Sequence, residues 1–600
     1  MKKYPWEKIG LIVLFLTTEA LGNTPFLFTR ESGESLSQIG ISAELDFLPG
    51  FWTKPFGPIA AWVPFRFRGT EFYHSIGCIN GNAFQDPWLG LSFLDRMPNA
   101  WVDTISVYRG IHPFVHAPIG SIVDLHHAIS LFSRPKTSIV YEKGPNAYGN
   151  TAFSFQRPFS RKLALKIDFR DQSHKKDPNS FTYKSTLTKA LAEYQAPKNW
   201  QIQYEWTKDQ SQWNLPFLSL LPGETSLSLF PELKIHQVHH RVMAEKVNGA
   251  IGLAFHQGRY RYEINDSISV FLDQNEMEFH GNTLTKKIPL LWGLRTEWTR
   301  FDPHNQTPKI VYTTRLMGGT TFSLASHFRF TLQTRGLFGT YVPFSFLPAS
   351  MLSYTRPNGS YWIAFWQGIR EPLIGERTGY TFSPFPPVMY STFFVRNSGI
   401  LLKRNADLHP EKSTTIEMGT QMPLLKKIQT EVRLYHTVLK NPIFLSENGQ
   451  FVNSSQESFS GMEIRSQWHL HPALSLELTE NSISAKDFQG KNLLDRPHFN
   501  TAVRISWTFS LFKGDLVSTW IFGFQSTSPF WMYRDQFPEP ILDQLPFQNR
   551  WHFQLRFQIL KQFYVNFTGE NISTRKIEYF PNYPLEQNAV YFGIHWDLFD

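Results

Sequence analysis

From about residue 138 onward the chain is a long series of two-residue alternations, the period of a strand with one apolar and one polar face. Leu163, Leu165, Ile167 and Phe169 interleave with Ala164, Lys166, Asp168 and Arg170, and Trp200, Ile202, Tyr204 and Trp206 with Gln201, Gln203, Glu205 and Thr207. Later, Val503, Ile505 and Trp507 alternate with Arg504, Ser506 and Thr508. Trp551, Phe553, Leu555, Phe557 and Ile559 alternate with His552, Gln554, Arg556 and Gln558. A soluble sandwich also alternates, but its turn signals recur every ~8–12 residues. Here the polar face mixes Gln, Arg, Glu, His and Thr, and the apolar face is rich in aromatics, which are 16% of the chain with 54 Phe and 18 Trp. That combination suits a barrel with a wet lumen and a lipid-facing exterior girdled by aromatic rings. Leu163, Ile167, Ile202, Tyr204, Trp206, Val503 and Phe553 are expected to face lipid, and Lys166, Glu205, Arg504 and Gln554 the lumen or its contents.

Composition supports this class. Charged residues are 18% and mean hydropathy is −0.29, so the chain is neither disordered nor built from membrane helices. Six hundred residues would suggest several domains at ~150 each, but a closed barrel absorbs hundreds of residues into one wall. The single cysteine, Cys78, excludes an intramolecular disulfide framework and a thiolate metal cluster. Although the net charge is +9, the 59 basic residues are scattered among 50 acidic ones rather than gathered in a stripe, which argues against nucleic-acid binding.

Connections come in two lengths. Short ones lie at Pro158 to Arg161, Ala196 to Asn199, Lys513 to Asp515 and around Lys561; long ones run roughly from Asp209 to Pro231, Glu371 to Pro410, Thr527 to Asn549 and Gly569 to Asn588. Such alternation puts long loops outside the cell and short turns in the periplasm. At the N-terminus, Lys2, Lys3 and Lys8 precede the apolar run Ile9 to Leu16 and the small-residue step Ala20, Leu21, Gly22, which reads as a signal peptide over residues 1–22. Val590, Phe592, Ile594, Trp596 and Leu598 form the apolar face of a last strand. This strand resembles the C-terminal assembly signal of bacterial outer-membrane barrels, although Asp600 follows the terminal aromatic Phe599.

Residues 26–135 have shorter apolar runs and more Gly and Pro. Leu48, Pro49 and Gly50; Phe67, Arg68 and Gly69; Ile79, Asn80 and Gly81 with Asp86 and Pro87; and Ile105, Val107, Arg109 and Gly110 occur in that order, followed by Gly120, Ser121, Ile122, Val123, Asp124 and Leu125. This order resembles the N-terminal plug of TonB-dependent outer-membrane receptors, with Ser106 where the family's fourth motif has a glutamate. Ile369 to Pro372, and Asn405 to Glu411 with Glu417 and Gly419, resemble two barrel motifs of the same family. Haem receptors of the family have a histidine between those two motifs, and residues 373–408 contain none.

The resemblance implies a plug over residues 26–135 inside a transmembrane antiparallel β-barrel of about 22 strands over 136–600, in the bacterial outer membrane. The plug is expected to be α/β. Implied partners are outer-membrane lipid, a small-molecule ligand, the barrel assembly machinery and a TonB-like energy-coupling protein. Asn80 followed by Gly81 suits a tight hairpin at positive φ. Arg68 and Arg109 are candidate plug anchors, since a chain crossing a lumen of carboxylates and amides favours charge-assisted bonds. Thr24, Pro25, Phe26, Leu27, Phe28 and Thr29 are the candidate coupling segment, yet Phe28, Thr29 and Arg30 also look like the first plug strand.

No His-Glu-x-x-His, Gly-x-Ser-x-Gly or phosphate loop is present in the sequence, so an enzyme is not expected, and no cofactor is implied. His112, His116, His126 and His127 form a candidate metal group for Ni, Cu or Zn, read against chance clustering among twenty histidines. Two functions remain open. One is an energy-coupled importer of a scarce solute such as a metal chelate or a cobalamin-like ligand. The other is a plugged barrel without coupling that acts as a porin-like pore, adhesin or scaffold.

Overall fold

The computed structural model describes residues 27–31, 40–55, 63–88, 90–92, 94–97, 101–102, 104–112, 116, 118–126, 135–175, 182–214, 232–246, 251–264, 268–284, 289–302, 309–378, 405–425, 427–446, 450–534, 541–572, 577–580 and 583–599. The leader, with Thr24, Pro25, Phe26 and His127, lies outside these residues. Alternating sequence over the C-terminal four-fifths gives long strands that pair with their barrel neighbours. Twenty-two of them, from Lys136–Lys143 round to Ala589–Phe599, close into one antiparallel barrel. The last strand seals against the first, Phe592 opposite Lys143 and Phe599 opposite Lys136. Among the described residues no helix is long and apolar enough to cross a membrane.

The two faces sort as the alternation requires. Leu163, Ile167, Ile202 and Tyr204 are exposed on the outer face, and Trp206, Val503 and Phe553 share their parity. Lys166, Arg504 and Gln554 are buried inside, and Glu205 shares the inward parity of buried Asp209. One expected boundary moves: the strand Trp200–Asn214 continues past Asp209, because Ser211 and Trp213 keep the inward alternation and are buried there.

Long connections gather on one rim, and some of them fold inward. Inside connections that the sequence leaves irregular, the structure places hairpins, Ile443–Leu445 with Phe451–Asn453 and Phe530–Arg534 with Ile541–Leu545. Their apolar residues, including Leu445, Phe451, Phe530 and Leu545, join Trp213, Tyr262 and Phe301 of the wall and Trp52 and Trp88 of the plug in one buried cluster. This cluster roofs the lumen.

The plug is built from short strands. β1 (Leu27–Glu31), β4 (Ile76–Ile79), β5 (Asn82–Ala83), β6 (Thr104–Tyr108) and β7 (Ile122–His126) form a sheet in the order β1-β6-β7-β4-β5, while β2 (Phe51–Thr53) and β3 (Phe65–Phe67) pair as a separate hairpin. Described helix in the plug is limited to α1 (Ser42–Leu45) and single turns at Phe72–His74 and Leu94–Arg96. Ile41, Leu45, Phe51, Phe67, Ile105, Val107, Val123 and Leu125 pack into its core.

The facing of the wall yields a direct comparison. Ile167 is 48% exposed on the outer face, whereas Lys166 is 8% exposed inside. Ile167→Arg should lower folding stability in lipid bilayers by ~2–4 kcal/mol, while Lys166→Arg should change it by much less. Urea titration of folding into vesicles measures both, and equal losses would mean the faces are misassigned.

Candidate functional site: the plug and the wall that holds it

Local backbone geometry aims the plug's charges outward. Arg68 and Gly69 both take left-handed conformations, with φ 53° and 74°, turning the chain at the end of β3 so that the guanidinium reaches the wall. Its Nε donates to Glu463 Oε1 at 2.6 Å and its Nη2 to Glu417 Oε2 at 2.5 Å. Gly50, at φ 83°, passes so close that an added Cβ would collide with the Glu463 carboxylate. Its N–H donates to Asn481 Oδ1 at 2.6 Å. Pro49 is buried beside it.

Arg109 joins the same group. Its Nη2 donates to Glu431 Oε1 at 3.2 Å, and its Nη1 lies 3.8 Å from Glu463. Arg433 of the wall completes the set, donating to Glu417 at 2.9 Å and to Glu431. Strand pairing places Arg433 opposite Glu463, so adjacent strands present the acids that the plug's cations need. Arg68, Arg109 and Arg433 thus face Glu417, Glu431 and Glu463 with charges balanced, which is what makes burial of so many ions tolerable. Gly110 follows at φ 112°, where a Cβ would meet the Trp366 ring at 3.0 Å.

A second group lies under the roof. Lys54 and Arg66 of the β2–β3 hairpin both contact Asp495, the latter at 2.8 Å, and Arg496 binds Glu71 at 2.5 Å. Burial pulls Lys54 down to about 7 against the opposing attraction of Asp495. Further contacts cross the interface: Glu44 pairs with Arg504 at 2.9 Å, Asp46 with Arg550 at 2.9 Å and Arg96 with Asp209 at 3.1 Å, while His74 Nε2 lies within hydrogen-bond distance of Glu411 Oε2, at 2.8 Å.

The remaining predicted positions sort into structural roles. Asn80 (φ 48°) and Gly81 (φ 79°) close the β4–β5 hairpin, and Asp124 accepts from the Gly81 N–H at 2.9 Å. Gly120 donates its N–H to His74 O at 2.8 Å, leaving a Cβ only 3.1 Å from that oxygen. Leu27, Phe28 and Thr29 pair with Tyr108, Val107 and Ser106, so this part of the candidate coupling segment is a strand of the plug sheet.

The described members of the candidate metal group, His112, His116 and His126, each have another partner. His116 Nε2 accepts from Arg295 at 2.6 Å, His112 O accepts from Arg335 at 2.8 Å, and His126 lies 3.0 Å from Ser106 Oγ. Among the described residues no group of three or more His, Cys, Asp and Glu could hold a metal ion. The physical reason is that two of these imidazoles face guanidinium groups, which repel a cation. Sequence singles out neither Glu463, Glu431 and Arg433, whose one signal is a charge at an inward-facing position that strand parity does not pair with a partner, nor Asp495, which lies in a connection and has no parity signal at all.

A family profile described as TonB dependent receptor-like, beta-barrel matches residues 133–572. The chain belongs to the TonB-dependent receptor family. Proteins of this family are receptors and transporters of the bacterial outer membrane. Solved structures share the fold. The siderophore receptor PirA from Acinetobacter baumannii aligns with a TM-score of 0.78 at 12% identity, over 97% of this chain and 99% of that one. The ferric enterobactin receptor PfeA from Pseudomonas aeruginosa aligns at 0.75 and 11% identity, over 98% and 99%. The ferric yersiniabactin uptake receptor FyuA from Yersinia pestis aligns at 0.72 and 14% identity, over 97% and 99%. A comparison with curated proteins finds no match.

Two outcomes test the receptor's interface. Arg68→Ala leaves Glu417 and Glu463 without their plug partner, which should destabilise the plug by about 3–5 kcal/mol while the barrel still assembles. Adding Arg109→Ala should admit small antibiotics through the lumen. Unchanged plug unfolding and unchanged antibiotic exclusion in an inserted double variant would remove both arginines as anchors.

The second outcome concerns pH. Burial, reinforced by Arg335 and Arg295 respectively, holds His112 and His116 well below the usual 6.5. The unfolded chain therefore takes up protons as pH falls through 6.5 while the folded plug does not. Plug stability is full above pH 6.5 and declines below it, by up to about 1.4 kcal/mol per pH unit for each imidazole. His116→Gln, which can still accept from Arg295, should flatten that slope in urea unfolding between pH 6.5 and 5; an unaltered slope would contradict the assignment.

Proposed function

We propose that this receptor imports a small ferric chelate, using energy supplied by a TonB-like partner. The observation that carries the reading is the plug itself, latched in the lumen by buried ion pairs to the C-terminal half of the wall and, through Arg96 and Asp209, to the other flank. A passage closed that firmly conducts nothing useful at rest, so transport needs work delivered from the periplasmic side. The structural neighbours named for siderophore, ferric enterobactin and ferric yersiniabactin uptake support iron chelates as the solute class. Arg68 and Arg109 act as plug anchors in this reading, residues 26–135 as the moving part and 136–600 as the fixed wall. The segment from Thr24 to Thr29 would pull on the plug by adding to the partner's sheet edge, a mode in which main-chain hydrogen bonds supply affinity.

A second reading, a plugged barrel without coupling, draws support from β1. Leu27 to Thr29 are already paired within the plug, so they must leave β6 before they can serve a partner. Uptake of radiolabelled iron, offered as ferric enterobactin and as ferric yersiniabactin to cells carrying the receptor, separates the two. Import predicts uptake that a protonophore abolishes, and loss of uptake but not of surface binding in Leu27→Pro, because proline cannot donate a main-chain bond. Protonophore-resistant uptake would favour a pore, and the absence of uptake and binding for both chelates would overturn this solute class.

A further inference from the structure

The plug is held unevenly around the barrel. Ion pairs reach it from Glu417, Glu431, Glu463, Asp495, Arg504 and Arg550 on the C-terminal half of the wall, and from Asp209, 3.1 Å from Arg96, on the other flank. Eight wall strands lie between these flanks, and four neighbouring ones among them, Ile268–Leu284, Pro289–Asp302, Lys309–Ser323 and Phe328–Gly339, form the arc considered next. Apart from Arg335, which donates to His112 O and Gln333, its inward arginines pair with wall acids. Register sets Glu276 opposite Glu297 and Arg295 opposite Arg315. The like charges are relieved within the wall: Arg295 pairs with Glu276, and Arg315 with Glu297 and Glu371, each at 3.1 Å.

Among the described residues the plug meets this arc through neutral groups, and no ion pair joins the two. His116 Nε2 and His112 O accept from Arg295 and Arg335. A cavity of about 190 Å³ lies at the same place, walled by His74, His116 and Ile119 of the plug and by Arg295, Glu297 and Arg315 of the barrel. The connections above it are short, six residues after Asp302 and two after Gly339, against forty between Arg370 and Glu411 and twenty between Thr527 and Gln548.

A hydrogen bond to a neutral acceptor, even from a charged donor, is weaker than a buried ion pair, whose breaking strands a charge. A plug under load therefore parts from this arc first. We propose that the solute passes along this arc, that the cavity is the closed form of the passage, and that the Arg295–His116 and Arg335–His112 contacts are its latch. When His116 withdraws, Arg295 loses an acceptor and turns a donor toward the opening, which suits a solute rich in anionic oxygens. The proposal rests on the import reading.

The test follows the order in which the plug separates and uses no solute. Single cysteines replace Thr299 or Val311 on the arc and, for comparison, Ser413 or Thr437 on the strongly paired side. All four side chains point into the lumen. The full-length receptor in lipid vesicles is labelled with a charged maleimide at rising urea. Native Cys78, fully buried in the plug, reports unfolding of the plug itself. Thr299→Cys and Val311→Cys should react at least about ten-fold faster than Ser413→Cys and Thr437→Cys while Cys78 stays unreacted. Equal rates, the reverse order, or labelling of Cys78 first would overturn the proposal. Giving Arg295 a carboxylate with His116→Glu should pull the fast rates toward the slow ones, and an undiminished rate would sink the latch; if that variant does not assemble, the comparison of the four sites still decides. Loss of energy-dependent uptake with this order intact would overturn the import reading alone. Uptake retained with the order reversed would overturn the passage alone.

Discussion

A closed wall of 22 strands surrounds a space too wide for its own side chains to fill, and most of this structure follows from that. An inward face cannot be apolar without a complete core to meet it, so it is lined with Lys166, Glu417, Arg433, Glu463 and Gln554. Once the plug fills the lumen those groups lose water. Every charge then needs a partner close by, because an isolated buried ion costs several kcal/mol even after relaxation. Arg68 and Arg109 meet that demand from the plug side, and Glu417, Glu431 and Glu463 from the wall.

The same requirement explains how the loops are used. The connection that carries Asp495 and Arg496 reaches down to Lys54, Arg66 and Glu71, and the inserted hairpins add Phe451, Phe530 and Leu545 to an apolar roof over Trp52 and Trp88. The plug thus meets hydrophobic closure above and ion pairing below. The arc from Ile268 to Gly339 departs from this pattern: Arg295 and Arg315 pair with its own acids, and among the described residues His112 and His116 accept from its arginines without an ion pair.

Strand parity is local information, which is why so much of the wall is legible in sequence. A residue such as Ile167 or Lys166 declares its face through its immediate neighbours, and the turn after Pro158 declares itself through a polar break. The Asn80–Gly81 turn is legible for the same reason. Ion-pair partners are a different kind of information. Glu463 meets Arg68 across 395 residues of sequence, and nothing near Glu463 distinguishes it from other inward acids. The partners of the histidines are illegible for a related cause: His112 and His116 sit in the connection between β6 and β7 and face wall arginines, while His126 ends β7 beside Ser106, and spacing in sequence names none of these contacts. Hairpins hidden in long connections, such as Ile443 to Asn453, lack the length that makes alternation visible.

The central claim is that paired charges, acting across the interface, hold the plug in its barrel. A double-mutant cycle on Arg68→Met and Glu463→Gln, with the free energy of plug unfolding measured by urea titration of the inserted receptor, tests it most directly. The account predicts a coupling of about 1.5–3 kcal/mol, because each single change leaves a buried charge short of its partner and the double change relieves that deficit. Additive effects, with a coupling below about 0.5 kcal/mol, would show that the two side chains lie close together without holding the plug in place.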